Sequence, residues 1–167
     1  MAALIQIVDE HDRPTGAATK QEAWDKGLIH RVVRIMIQNS QGQLLLQLRS
    51  PTKDIFPNCW DNSVAGHVDQ GEDYDTAAHR EVTEEIGEAD LALEPMGMYR
   101  QDETIADKRF NRFVKVYRAH LNRLPAQLEA DKVSAVRWFD ITDVQQIIAE
   151  HPALVTDGLR QVIERYY

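Results

Sequence analysis

Gly66-His67-Val68-Asp69-Gln70-Gly71-Glu72, followed after a gap by Arg80-Glu81-Val82-Thr83-Glu84-Glu85-Ile86-Gly87, decides how this chain is read. Residues 73–86 have the pattern of a helix: Asp73 can cap it, Asp75 suits its first turn, and Gly87 can close it in a left-handed conformation. At about 100° per residue, Glu81, Glu84, Glu85 and Glu88 fall within roughly a 100° arc of its surface. Like charges three and four positions apart cost about 0.2–0.5 kcal/mol per pair, and the last turn of a helix already disfavours anions. A hard divalent cation reverses that sign, because Mg²⁺ takes carboxylate oxygens together with water and phosphate oxygens. The plain alternative is a solvated acidic face. The neighbours weigh against it: Tyr74, Ala78, Val82 and Ile86 form an apolar stripe beside the acids, which sets one edge of the cluster at the core boundary. Arg80 precedes Glu84 by four residues, close enough to orient a carboxylate.

Outward from this segment, turn chemistry divides the chain into short strands and a few helices. An apolar run at residues 4–8 ends in the turn composition of Asp12-Arg13-Pro14-Thr15-Gly16, and a short helix over residues 19–25 stops near Gly27. Residues 32–38 and 43–48 flank Asn39-Ser40-Gln41-Gly42 and predict a β-hairpin. Residues 51–62 read as irregular. Apolar runs at 91–99, 110–120 and 133–139 predict strands, and amphipathic stretches at 142–149 and 152–164 predict helices. The order implies one mixed α/β domain over residues 1–167, with helices packed on a partly antiparallel sheet.

Composition sets the outer bounds. A chain of 167 residues buries a full core without staples, and a mean hydropathy of -0.46 leaves no room for a membrane protein. The net charge of -8 makes a stable nucleic-acid complex a poor expectation. A phosphorylated ligand would need positive charge from elsewhere, and a divalent metal is the obvious source. The single cysteine, Cys59, cannot close an internal disulfide, and the first residues do not read as a secretory signal, so the expected compartment is the cytoplasm.

Gly66, Glu72, Arg80, Glu81, Val82, Glu84, Glu85 and Gly87 fall on the spaced pattern G-x5-E-x7-R-E-U-x-E-E-x-G-U, with U aliphatic, and on this the chain resembles the Nudix hydrolases. The last aliphatic position is Glu88, a departure that removes no metal ligand. The resemblance implies an α/β/α sandwich with a mixed sheet and a loop–helix–loop. It also implies hydrolysis of a diphosphate bond in a nucleoside diphosphate derivative or similar small phosphorylated metabolite, with Mg²⁺ or Mn²⁺. By that resemblance Glu81, Glu84 and Glu85 hold the metal, Glu72 stands nearby, Gly66 lends its carbonyl and Arg80 orients the acids. Glu81 is the first choice of general base and Glu103 the alternative. A homodimer is an expectation of the same kind.

The likeness extends over residues 4–140 and is similar to the isopentenyl-diphosphate isomerase branch in Leu44-Leu45-Leu46-Gln47-Leu48-Arg49-Ser50 and in Trp60-Asp61-Asn62-Ser63-Val64-Ala65-Gly66-His67. That branch needs a cysteine where Ala65 stands and acids where Phe110-Asn111-Arg112 stands. Its metal site uses three histidines, of which His30 and His67 match two, and Ala23 is placed at the third. Ala65 and Arg112 cannot form a proton-transfer pair. The alternatives kept are therefore an isomerase-like protein and a non-catalytic nucleotide-binding domain. Arg49, Arg112 and Trp60 are the substrate-binding candidates: Arg49 ends a strand beside the irregular loop, Arg112 lies on a cationic strand, and Trp60 can stack on a base. Cys59 lacks a neighbouring base and makes a weak nucleophile. Lys132 stands where members of this fold often carry an acid, with Asp131 or Glu129 as possible stand-ins.

Overall fold

A computed structural model describes residues 2–167. One mixed sheet organises the chain, and its central strand is β3 (His30–Gln38). The hairpin partner β1 (Leu4–Val8) meets β3 at one end, and β2 (Pro14–Thr19) lies outside β1. β4 (Leu44–Arg49) turns back from β3 through Asn39 to Gly42, where the Asn39 carboxamide oxygen accepts the Gln41 and Gln43 N–H groups. Two short strands follow, β5 (Trp60–Asp61) on β4 and β6 (Val64–His67) on β3. β7 (Glu94–Ile105) pairs with β8 (Lys108–His120), which runs parallel to β3 from His30↔Arg112 to Gln38↔His120. β9 (Val133–Phe139) completes the sheet on β4.

Successive side chains of a strand point to opposite faces, and β3 fills both. Val33, Ile35 and Ile37 pack with Tyr74, Ala77, Ala78, Val82 and Ile86 of α2 (Tyr74–Ile86). Val32 and Met36 pack on the other face with Val114 and Val116 and, through Leu159, Val162 and Ile163, with α4 (Asp157–Tyr166). Val144 of α3 (Ile141–Glu150) joins that second core. The result is the expected α/β/α sandwich. The apolar alternation of β3 has one break: Arg34 occupies the inward position between Val32 and Met36 and is buried.

Several sequence boundaries move. The turn predicted at residues 12–16 closes earlier, because the Asp9 carboxylate accepts the His11 and Arg13 N–H groups; Pro14 and Gly16 then lie in β2, an edge strand that tolerates both. α1 (Lys20–Lys26) starts one residue after its cap, Thr19. The irregular stretch contains β5. The strand expected over 91–99 is in fact β7, extending to Ile105, since its polar residues pair across the hairpin with β8, as in Asp102 with Arg109. The last helix begins at Asp157 and not near 152, because Pro152–Leu154 is a 3-10 turn and the Thr156 hydroxyl caps the new helix at Leu159 N–H.

Candidate active site

α2 begins at Asp73, whose carboxylate accepts the Thr76 N–H, and ends at Gly87 in the left-handed region. Its apolar stripe locks it to the sheet, which fixes the acids on the flank of β6. Glu81 and Glu85 are 6% and 4% exposed, whereas Glu84 is exposed. The Glu81 carboxyl group fills the space over Gly66: a Cβ at that position would lie 2.1 Å from the Glu81 carboxyl carbon, so any larger residue there displaces that carboxylate. Glu88 lies beyond the C-cap and pairs with Arg123 at 2.7 Å, so it leaves the cluster in which helical periodicity placed it.

Arg80 ties the acids together. It donates Nε–H and Nη2–H to the two oxygens of Glu72 (2.8 and 2.9 Å), Nη1–H to Glu81 (2.8 Å) and a further Nη2–H to the His67 carbonyl (2.9 Å). Glu84 lies 3.5 Å from the same guanidinium. With its donors so engaged, Arg80 positions carboxylates and has little left for a ligand. The Arg80 hydrogen bonds hold the Glu72 carboxyl below the usual carboxylate range. Burial pushes Glu81 up, and burial with repulsion from Glu81 pushes Glu85 up to about 8 although Gln47 donates to it at 2.9 Å.

Lys132 completes the cluster. The turn before β9 docks on the end of α2 through the Glu129 N–H, which donates to the Glu85 carbonyl at 3.0 Å. The Lys132 ammonium then sits 3.1 Å from Glu129, 3.6 Å from Glu84 and 3.7 Å from Glu81. A cation thus stands among the acids, and among the described residues no three acidic, histidine or cysteine side chains are gathered as a ready metal cage. The donor set nonetheless suits a hard divalent ion, and one buried oxygen, Glu81 Oε2, makes no hydrogen bond.

These groups open on one cavity of about 890 Å³, within the size range of small-molecule sites. Ala65, Gly66, Glu81, Glu84 and Glu85 line it, and so do Arg49 and Arg112. Arg49 is heavily committed, donating to the Ile55 and Phe56 carbonyls and pairing with Asp61 at 3.2 Å. Trp60 is not among the residues that line the cavity, and its ring packs edge-on against Phe139, 4.8 Å between centroids. Glu103 is off the wall too, held by amide N–H groups of Gln101 and Gln161. The Cys59 thiol, pushed up by burial, donates to the Ala153 carbonyl.

His30 and His67 stack at 5.5 Å. The His30 Nδ1–H donates to the Leu28 carbonyl, and burial lowers its pKa to about 4; burial and His30 also lower His67 well below its usual value. Ala23 is buried in the core, and it is Trp24 that faces the pair, 6.0 Å from the His67 ring. Sequence reasoning missed Trp24, and also Gln101, which is turned inward on the part of β7 beyond the strand expected over 91–99.

The fold and the site define an α+β sandwich domain with an acid-bearing loop–helix beside a small-molecule cavity. The chain belongs to the Nudix family: the NUDIX domain model matches residues 28–165. It is 29% identical over 164 residues, 98% of this chain and 92% of the relative, to isopentenyl-diphosphate Delta-isomerase 2 of Photorhabdus laumondii. It is 36% identical over 137 residues, 82% of this chain and 78% of the relative, to an uncharacterized Nudix hydrolase of Pseudomonas aeruginosa. A crystal structure from Deinococcus radiodurans superposes with a TM-score of 0.83 at 28% identity, covering 98% of this chain and 99% of that one.

Proposed function

We propose that the chain is a divalent-metal-dependent hydrolase that cleaves the diphosphate bond of a nucleoside diphosphate derivative or a similar small phosphorylated metabolite. The observation that carries this reading is Glu81: a buried carboxylate, pressed on Gly66 at the cavity wall, with one oxygen that makes no hydrogen bond and faces only the Lys132 ammonium at 3.7 Å. Glu81, Glu84 and Glu85 would hold Mg²⁺ or Mn²⁺, with the Gly66 carbonyl and Glu72 beside them. A bound divalent ion supplies charge neutralisation on phosphate oxygens and lowers the pKa of water. Arg80 orients Glu72, Glu81 and Glu84, and Glu81 is the proposed acceptor of the water proton. The expected setting is the cytoplasm; among the described residues no helix is long and apolar enough to cross a membrane.

The isomerase relatives raise the second reading, but the cavity presents Ala65 and Arg112, neither of which exchanges a proton at carbon. Mass-spectrometric product analysis across sugar nucleotides, dinucleotides, nucleoside triphosphates and isopentenyl diphosphate, with and without metal, separates the readings. Metal-dependent cleavage is expected. Glu84→Gln with Glu85→Gln should cost more than the roughly 10–100-fold typical of a metal's outer partners. Activity unchanged in that double variant would sink the proposal, and deuterium uptake into isopentenyl diphosphate would favour the isomerase.

A further inference from the structure

The cavity also holds two guanidinium groups that take no part in holding the metal or the acids. Arg34 and Arg112 both line it, on adjacent parallel strands and on the sheet face that also carries Val114 and Val116. Arg34 is 4% exposed. Its N–H groups go to the Tyr99 hydroxyl, the Gly158 carbonyl and the side-chain oxygens of Gln161 and Gln101, all neutral. Arg112 donates Nε–H to the same Gln101 oxygen at 2.7 Å and lies 4.9 Å above the Phe110 ring. Its two terminal nitrogens make no hydrogen bond among the described residues, and neither arginine has an ion pair there.

A buried charge with no counter-charge at contact distance is strongly disfavoured, and a second guanidinium that shares its acceptor adds repulsion. Asp61 and Glu103 act on the pair only from beyond ion-pair distance and are committed to other donors. Asp61 is engaged by Arg49, Thr156 and Asn62, and Glu103 by Gln101 and Gln161. The fold nevertheless makes room for the arrangement: a Cβ on Gly158 would lie 2.9 Å from the Arg34 guanidinium. Gln101 and Phe110 hold Arg112 by its Nε and its ring-facing plane, which leaves both terminal nitrogens of this cavity-lining residue free, the donor pair that recognises a carboxylate or phosphate with two parallel hydrogen bonds.

We propose that Arg34 and Arg112 form an oxyanion subsite for a carboxylate or phosphate group that the substrate carries in addition to its scissile diphosphate. The assignment to substrate rests on the hydrolase reading; the subsite itself does not. Calorimetric titration with inorganic phosphate in EDTA tests the subsite without metal or turnover. Wild type should bind, Arg112→Gln should bind at least tenfold more weakly, Arg112→Lys should fall between, and Lys53→Gln, which removes a different cation of the same cavity wall, should stay within about twofold of wild type. Equal affinity in Arg112→Gln, or loss of binding in Lys53→Gln alone, overturns the proposal. Should Arg112→Gln fail to fold, wild-type crystals soaked in selenate decide: an anomalous peak at hydrogen-bond distance from the Arg112 nitrogens supports the subsite, and peaks only elsewhere overturn it. Phosphate that raises KM in wild type but not in Arg112→Gln places the substrate's own anion there. Phosphate that binds without changing KM makes the ligand a free anion and overturns the substrate assignment.

Discussion

At the scale of single residues, Lys132 is the most consequential departure. Its ammonium lies within 4 Å of three carboxylates that otherwise repel one another, and although burial opposes its charge, Glu81, Glu129 and Glu85 hold its pKa above the ordinary value. In metal-free protein it does part of the work of a cation. Lys132→Met should therefore lower Tm in EDTA, and added Mg²⁺ should raise Tm by more in the variant than in wild type; an equal response in both would show that Lys132 does not share the acids with a metal. Glu81, Glu84 and Glu85 were legible in the sequence because a helical period gathers them, and Arg80 because it lies one turn before Glu84; Gly66 and Glu72 were placed beside them by the resemblance to the Nudix pattern. Arg34 and Arg112 were visible only as cations on strands. Their meeting depends on the parallel pairing of β3 with β8 and on Gln101 of β7, contacts set by tertiary register and by no local pattern.

At the scale of elements, α2 carries the site and its ends are defined chemically. The Asp73 cap satisfies the Thr76 N–H at 2.7 Å while its carboxylate stays outside the cavity lining. Asp73→Ala should cost about 1 kcal/mol, a Tm loss of roughly 2–4 °C for a chain of this size, with kcat unchanged. A large fall in kcat at a temperature well below Tm would mean that the cap also sets the position of the acids. Elements with strong alternation or clear turn chemistry, such as β3, β4 and their hairpin, were readable within a residue or two. β2 and the outer half of β7 were not, because edge strands expose polar residues and tolerate proline and glycine, and so resemble loops.

At the scale of the whole molecule, two cores share one sheet, and their stability is linked to protonation of the buried histidine pair. His30 is fully buried and neutral, with a folded pKa of about 4 against about 6.5 when unfolded. The unfolded chain therefore takes up the proton first as pH falls, and stability declines between pH 6.5 and about 4. The loss from His30 is on the order of 3 kcal/mol at the acid end of that window. His30→Gln, which can still donate to the Leu28 carbonyl, should show a shallower fall of Tm from pH 7 to pH 4 in thermal melts; an identical slope would rule out titration of this ring as the cause.

The register of β3 against β8 carries a further consequence for how the protein fails. A slip of one residue turns every side chain of a strand to the opposite face. Arg34 would then enter the apolar layer under α2, and Val33 or Ile35 would replace it in the cavity. Misregistered chains would not be weakened catalysts but molecules with no binding chamber at all. A refolded preparation should thus behave as a mixture of fully competent and fully inert copies, with the cost of burying a guanidinium in the wrong layer acting as the proofreader of the sheet.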